Sequence, residues 1–322
     1  MTPRDGAGTV VDECLDISEE ERVVVPDDGH VPGLIESLLE LLEERSIEFE
    51  RLEYEEPDRQ GQEPPRRVAE EMKQADVFVA PTAKSISHTR ARNEACEAGA
   101  RGATLPGITR EIWNTSLQAD YQRVAEISEK VLEMISRTDE VRITTPSGTD
   151  LRIDVEPEYY HADTGLIHEP GDFGNLPAGE ADGGAVNVRG DLVVDHLPMV
   201  PDRNEGAVLE VEDSEVVSWE NVPGDAELVE TLESVEGARN IAEFGFGTNP
   251  EAEVIGNTLN DEKVLGTVHI ALGDNASYIP EGDPLRQESD IHWDTVCISP
   301  TVYFDGKKVL DAGEPVFLDQ DI

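Results

Sequence analysis

Cysteine is nearly missing from this chain. Three residues, Cys14, Cys96 and Cys297, are odd in number and far apart with no CxxC pair, which excludes a disulfide framework and a thiolate zinc site. Positive charge is equally thin: 25 Lys and Arg stand against 71 Asp and Glu, a formal net charge of −46. That balance excludes nucleic acid and anionic membranes as partners, since both are held through basic patches. No apolar run approaches a membrane span and no hydrophobic signal segment opens the sequence, so a cytoplasmic protein is expected. Without an export signal, the glycosylation triplets at Asn114 and Asn275 carry no weight. There is no GxSxG elbow, Walker loop or HExxH helix. "GFGTNP" (245–250) has Gly-x-Gly but no helix of a βαβ unit after it, so a dinucleotide site is not expected.

What is present is a periodic apolar pattern that persists almost to the end, which argues for a folded chain rather than an acidic disordered one. The acidity suits a solvated surface in high salt, as in the proteins of salt-in halophiles, where a short Debye length removes the self-repulsion. The first ~25 residues read as a loose acidic arm. "GLIESLLELLEERSI" has apolar residues at 34, 35, 38, 39 and 42, one face of a helix. "IEFERLEY" (47–54) alternates like a strand, and a short helix is expected near 66–73. "ADVFVAP" (75–81) reads as a buried strand, followed by a helix capped by Ser87 or Thr89 and ended by Gly99, then a strand from "RGATLP". Strand, helix and strand with a short return make a βαβ unit, so the first half is an α/β domain with a parallel sheet. A further amphipathic helix spans 120–139.

The character changes near 138–142, which sets expected domains at 1–140 and 141–322. "VRITTPSGTDLRIDVE" (141–156) reads as a hairpin. After it, short strands alternate with Gly, Pro and Asp turns, with one helix near 224–240: a β-rich (α+β) domain, with a curled or barrel-like sheet. This half carries the candidate chemistry. Glu180, Glu243, His269, His292 and Asp294 lie at strand ends and turns. Carboxylates with imidazoles and no thiolate suit Zn, Co, Mn or Fe(II), and three carboxylates could neutralise two ions with one bridging. In "SDIHWD", His292 and Asp294 sit at i and i+2, on one face of a strand. The same spacing fits a strand whose polar groups simply face water. "SISHTRAR" fits a capped helix start, with Arg90 or Arg92 able to receive an anion as the sharper alternative.

"GNLPAGE", "AEFGFGTNP", "GTVHIALGDN", "SDIHWD" and "YFDGKKVLDAGEPV" together resemble the thermophilic-type metallo-aminopeptidases, the aminopeptidase T and S group. The resemblance covers about 140–322, and "VAPTAKSISHTRARNEACEAGARGATLPGIT" resembles the N-terminal domain of the same superfamily. It implies two domains, a homodimer, a peptide substrate and two divalent ions (Zn, Co or Mn) that activate a water. The implied metal ligands are Glu180, Glu243, His269, His292 and Asp294, with Glu262 a weaker candidate. Glu180 or Glu243 would bridge the metals or move a proton, and Tyr278 stands later than the family's tyrosine. The chain is short for that family. A sister branch, the dihydroxypyridine ring-opening dioxygenases, shares the fold and the "SxxHT" segment and implies one Fe(II). A catalytically silent metal-binding homologue is the third expectation.

Overall fold

The structure is a computed structural model that describes residues 3–197 and 206–318. It divides into two compact units: Met1–Ala125 with Asp163–Ala178 and Pro250–Ala252, and Glu126–Ala162 with Gly179–Asn249 and Glu253–Ile322.

The first unit is built on five parallel strands in the order Glu48–Glu53, Arg22–Asp27, Val77–Ala80, Arg101–Thr104, Phe173–Asn175. The runs "VVV" (23–25) and "VFVA" (77–80) are buried throughout, as strands of a parallel sheet covered on both faces must be. The helix Pro32–Glu44 buries Leu34, Ile35, Leu38 and Leu42 of the expected stripe, while Leu39 is half-buried and Leu41 enters the core as well. The short helix Arg66–Met72 and the strand Glu48–Glu53 stand where the pattern places them. Between the expected βαβ strands, the helix Arg90–Glu97 is capped by Thr89, whose hydroxyl accepts the Arg92 amide at 3.3 Å, and the chain leaves it through Gly99 at φ +105°. Arg92 stacks on the Phe173 ring at 4.2 Å and donates to the Ser87 carbonyl, a structural use of that side chain.

The N-terminal segment is not a loose arm. Pro3–Gly8 is helical, Thr9–Cys14 forms a turn of π-helix, and Val10, Val11, Cys14 and Leu15 are fully buried. The reason is the apolar set inside "GTVVDECLDI": the acids Asp12 and Asp16 stay exposed while the apolar groups enter the core, and average composition hides that division. Buried Arg101 fixes the segment, donating to the Leu15 carbonyl at 3.0 Å and pairing with Glu21.

The second unit has two antiparallel sheets rather than one curled or barrel-like sheet. The larger runs Glu215–Glu220, Val208–Glu212, Val186–Val193, Asp150–Asp154, Glu140–Thr144, Thr301–Phe304, Lys307–Asp311, Glu314–Pro315. The expected hairpin lies at its centre, with Ile143 opposite Leu151. The smaller runs His292–Cys297, Val268–Gly273, Ile241–Gly247, Glu180–Gly184, Tyr160–Asp163. Val141, Ile143, Leu151 and Leu192 from the one and Phe244, Phe246, Val268 and Ile270 from the other join a single apolar cluster. Each sheet buries one face there, which two open sheets achieve without closing a barrel. The expected helix near 224–240 is Glu227–Ser234. Residues 198–200 of the run read as "GAVNVRGDLVVDHLPMV" lie outside the described residues.

Candidate metal centre

The smaller sheet sorts its side chains by the period of two. Phe244, Phe246, Val268, Ile270 and Leu272 point into the core. The alternate positions are Glu180, Asp182, Glu243, Gly245, Gly247, His269, His292 and Asp294. The register sets them side by side: Gly247 pairs with Glu180, Gly245 with His269 and with Asp182, and Asp294 with Ala271. All five residues expected as ligands therefore share one face of adjacent strands.

Their polar atoms converge. His269 Nε2 is 2.9 Å from Glu243 Oε1, and His292 Nε2 is 2.9 Å from Glu243 Oε2 and 3.4 Å from Asp294 Oδ1. Glu243, His269 and Asp294 are all buried and can direct one ligand atom each to within 4.8 Å of one another. His292 is oriented from behind: its Nδ1 lies 2.8 Å from the Asp274 carbonyl oxygen, so Nδ1–H donates there and Nε2 is the nitrogen presented to the cluster. The Asp274 carboxylate in turn accepts the amides of Ala276 and Ser289, tying together both ends of the loop that carries this contact. His269 lies across Gly245; a Cβ there would stand 2.9 Å from the ring Cδ2 and closer still to Cε1 and Nε2.

Glu180 completes the group at a different distance. Its Oε2 is 3.7 Å from His269 Nε2, and its Oε1 pairs with the ammonium of Lys263, which also meets Glu262 Oε1 at 2.8 Å. Tyr278 is brought in despite its late position in the chain. Its ring centroid is 6.5 Å from that of His292 and 5.7 Å from that of His161, and its hydroxyl bonds Glu243.

Charge follows from this geometry. Burial drives the Glu243 carboxyl upward, but the hydrogen bonds from His269 and His292 outweigh it and hold it well below the usual carboxylate range. Burial lifts Glu262 to about 8, against the pull of Lys263 and with the push of Asp294 and Glu180. Burial, then the nearby carboxylates, raise the Tyr278 phenol well above its ordinary value, so it stays protonated and can donate. The donor set fits a cation. It combines imidazoles with buried carboxylates, and two of its buried atoms, Glu180 Oε2 and His269 Nδ1, have no hydrogen-bond partner.

Sequence reasoning missed four participants. Asp182 had a signal, two positions after Glu180 on the same face, and His161 stands 3.6 Å from it on the neighbouring strand. Asp274 acts through its backbone and Lys263 looks like any solvated lysine, so neither had one. Arg90 and Arg92 take no part in this sheet; both stand on a helix of the first unit.

No curated protein matches the sequence. Among solved structures, the fold is similar to 2,5-dihydroxypyridine dioxygenase from Pseudomonas putida, with a TM-score of 0.77 and 16% identity over 97% of this chain and 96% of that one. It is also similar to AmpT from Thermus thermophilus, with a TM-score of 0.72 and 17% identity over 98% of each chain. Both likenesses are of fold. The sequence pattern that matches is that of NicX, 2,5-dihydroxypyridine 5,6-dioxygenase, over residues 47–317. This is the branch that stood second to the aminopeptidases in the sequence, and by that match the chain belongs to the NicX family.

Proposed function

We propose that this protein is a mononuclear iron(II) dioxygenase that opens a hydroxylated aromatic ring, with 2,5-dihydroxypyridine as the substrate to try first. The observation that carries the reading is the buried group of Glu243, His269 and Asp294, whose ligand atoms come within 4.8 Å of one another, with His292 2.9 Å from Glu243 and 3.4 Å from Asp294. Two histidines and one carboxylate with open positions are the donor set of non-haem iron oxygenases. The family match, whose description names that reaction, supports the same choice.

Iron(II) held by these residues would supply the one-electron chemistry that allows dioxygen to react with an aromatic ring. The chain's own groups have separate tasks. The Asp274 carbonyl fixes the tautomer of His292 and the direction of its Nε2. Glu243 stands against Nε2 of both imidazoles, one oxygen toward each, and would share the cation with them. Tyr278, protonated at neutral pH, donates its hydroxyl to Glu243 and so helps hold that carboxylate in place.

A hydrolytic alternative has one specific observation in its favour: Glu180 shares the face with Glu243, so a second carboxylate stands beside the cluster. The two readings separate on metal and oxygen. Protein prepared without chelator should hold iron, and addition of 2,5-dihydroxypyridine should consume dioxygen as the ring absorbance is lost. Release of p-nitroaniline from Leu-p-nitroanilide by protein holding two zinc, cobalt or manganese ions, with no oxygen uptake, would replace the dioxygenase by an aminopeptidase.

A further inference from the structure

The polar face carries a charge of the wrong sign for a ligand. The Lys263 side chain is 3% exposed, and its ammonium pairs with Glu180 Oε1 and with Glu262 Oε1. An ammonium this deep costs several kcal/mol in lost hydration unless carboxylates meet it, on the order of the penalty for any buried ion. Here two do. The other oxygen of Glu180 is buried, makes no hydrogen bond and faces His269 Nε2 at 3.7 Å. The Glu180 carboxylate thus lies between the ammonium and the imidazole cluster with one oxygen toward each. That is the place of a bridging carboxylate between two cations roughly 3.5–4 Å apart.

The backbone builds this position. Lys263 follows the short helix Thr258–Asp261, and its carbonyl accepts the Asn249 amide at 2.8 Å. The turn rests directly on Gly247, where a Cβ would come within 2.9 Å of the Glu262 carbonyl oxygen and closer still to that of Val264. Only a residue without a side chain at 247 lets the turn approach the strand this closely and direct Lys263 onto the ligand face.

We propose that the Lys263 ammonium occupies the position of a second metal ion, limits the centre to one ion, and that deleting its charge opens a second divalent-cation site between Glu180 and Glu262. The inference rests on the single-ion reading above. It assigns Lys263 the task of setting the metal count, and through it the class of chemistry the site can perform.

The test is metal stoichiometry on the full chain. Wild type, Lys263→Met and Lys263→Arg are equilibrated with excess Mn²⁺, passed through a desalting column and analysed for ions per chain. Wild type and Lys263→Arg should each hold one, and Lys263→Met two. Adding Glu180→Gln to Lys263→Met should return the count to one. A Lys263→Met protein that stays at one overturns the inference and leaves the dioxygenase reading intact. A wild type that already holds two overturns the single-ion reading itself. If Lys263→Met unfolds in chelator, thermal melting gives the answer. Recovery on adding Mn²⁺, by a larger rise in Tm than wild type shows, supports the second site, and absence of recovery refutes it.

Discussion

Gly245→Ala offers a one-methyl test of how the centre is built. Gly245 lies directly under the His269 ring, and a Cβ there would stand 2.9 Å from Cδ2 and nearer to Cε1 and Nε2. Ordinary carbon contacts need about 3.5–4.0 Å, so the ring must move by well over about 1 Å or the strands must part. The strands are tied in register by their ladder, with Gly245 opposite His269, so the ring is what yields. Metal–ligand distances tolerate only about 0.2 Å, and a misplacement of about 1 Å costs about 100-fold in rate. We expect metal affinity to fall by at least about 10–100-fold, comparable to losing a supporting partner of a ligand, and turnover by about 100-fold. Overpacking should cost about 1–3 kcal/mol of stability, leaving the protein folded. The assay is metal retained on titration with a chelator, with circular dichroism to monitor folding. Gly224→Ala is the control, since a Cβ there meets nothing within 4 Å. Wild-type metal affinity in Gly245→Ala would refute the account of His269.

Three further outcomes are open to measurement. Thr89→Ala removes the cap of the helix Arg90–Glu97 and should cost about 1 kcal/mol in urea unfolding. Glu21 is held below the usual carboxylate range by its hydrogen bond with Arg101, against burial. A carboxyl lowered in the fold stabilises above its unfolded value, about 4.3, and that contribution disappears as pH falls through the folded value. Glu21→Gln should therefore cost about 2 kcal/mol at pH 7, and its midpoint should converge on that of wild type as pH falls through the lowered folded value of Glu21. Finally, a net charge of −46 should make the fold salt-dependent, with the thermal midpoint rising as NaCl approaches 1 M and the Debye length falls to about 3 Å. A midpoint independent of salt would mean that the acids are already compensated by local pairs.

The parts of the fold that the sequence made legible are those where local pattern and tertiary burial agree. "GLIESLLELLEE" is a helix on period alone, and "VFVA" is a strand because both its faces are covered. That the candidate residues share a face was legible for a related reason: alternation places Glu243 opposite the core phenylalanines and puts His292 and Asp294 together. What stayed hidden depends on contacts distant in sequence. The acidic N-terminal segment looked unstructured because its few apolar residues find their partners nearly a hundred residues away, as Leu15 does with Arg101. Lys263 was invisible because nothing local distinguishes a buried lysine from a solvated one. Its role comes from Glu180, 83 residues earlier, and from the absence of a side chain at Gly247.

The edge strand Phe173–Asn175 has a consequence for how the protein is made. Arg101–Thr104 pairs with it, the Ile167 amide donates to the Cys14 carbonyl, and Ile167, Leu176 and Ala178 join the same apolar cluster as Val10 and Leu15. On a ribosome adding about 5–20 residues each second, a nascent chain usually completes its first domain before the next appears. Here the first unit cannot gain this edge strand and these side chains until residue 178 has emerged, by which point the hairpin Glu140–Asp154 of the other unit is already synthesised. For several seconds that hairpin must wait with its apolar face unsatisfied, and a fragment ending near residue 140 would lack the strand and the side chains that close its own core.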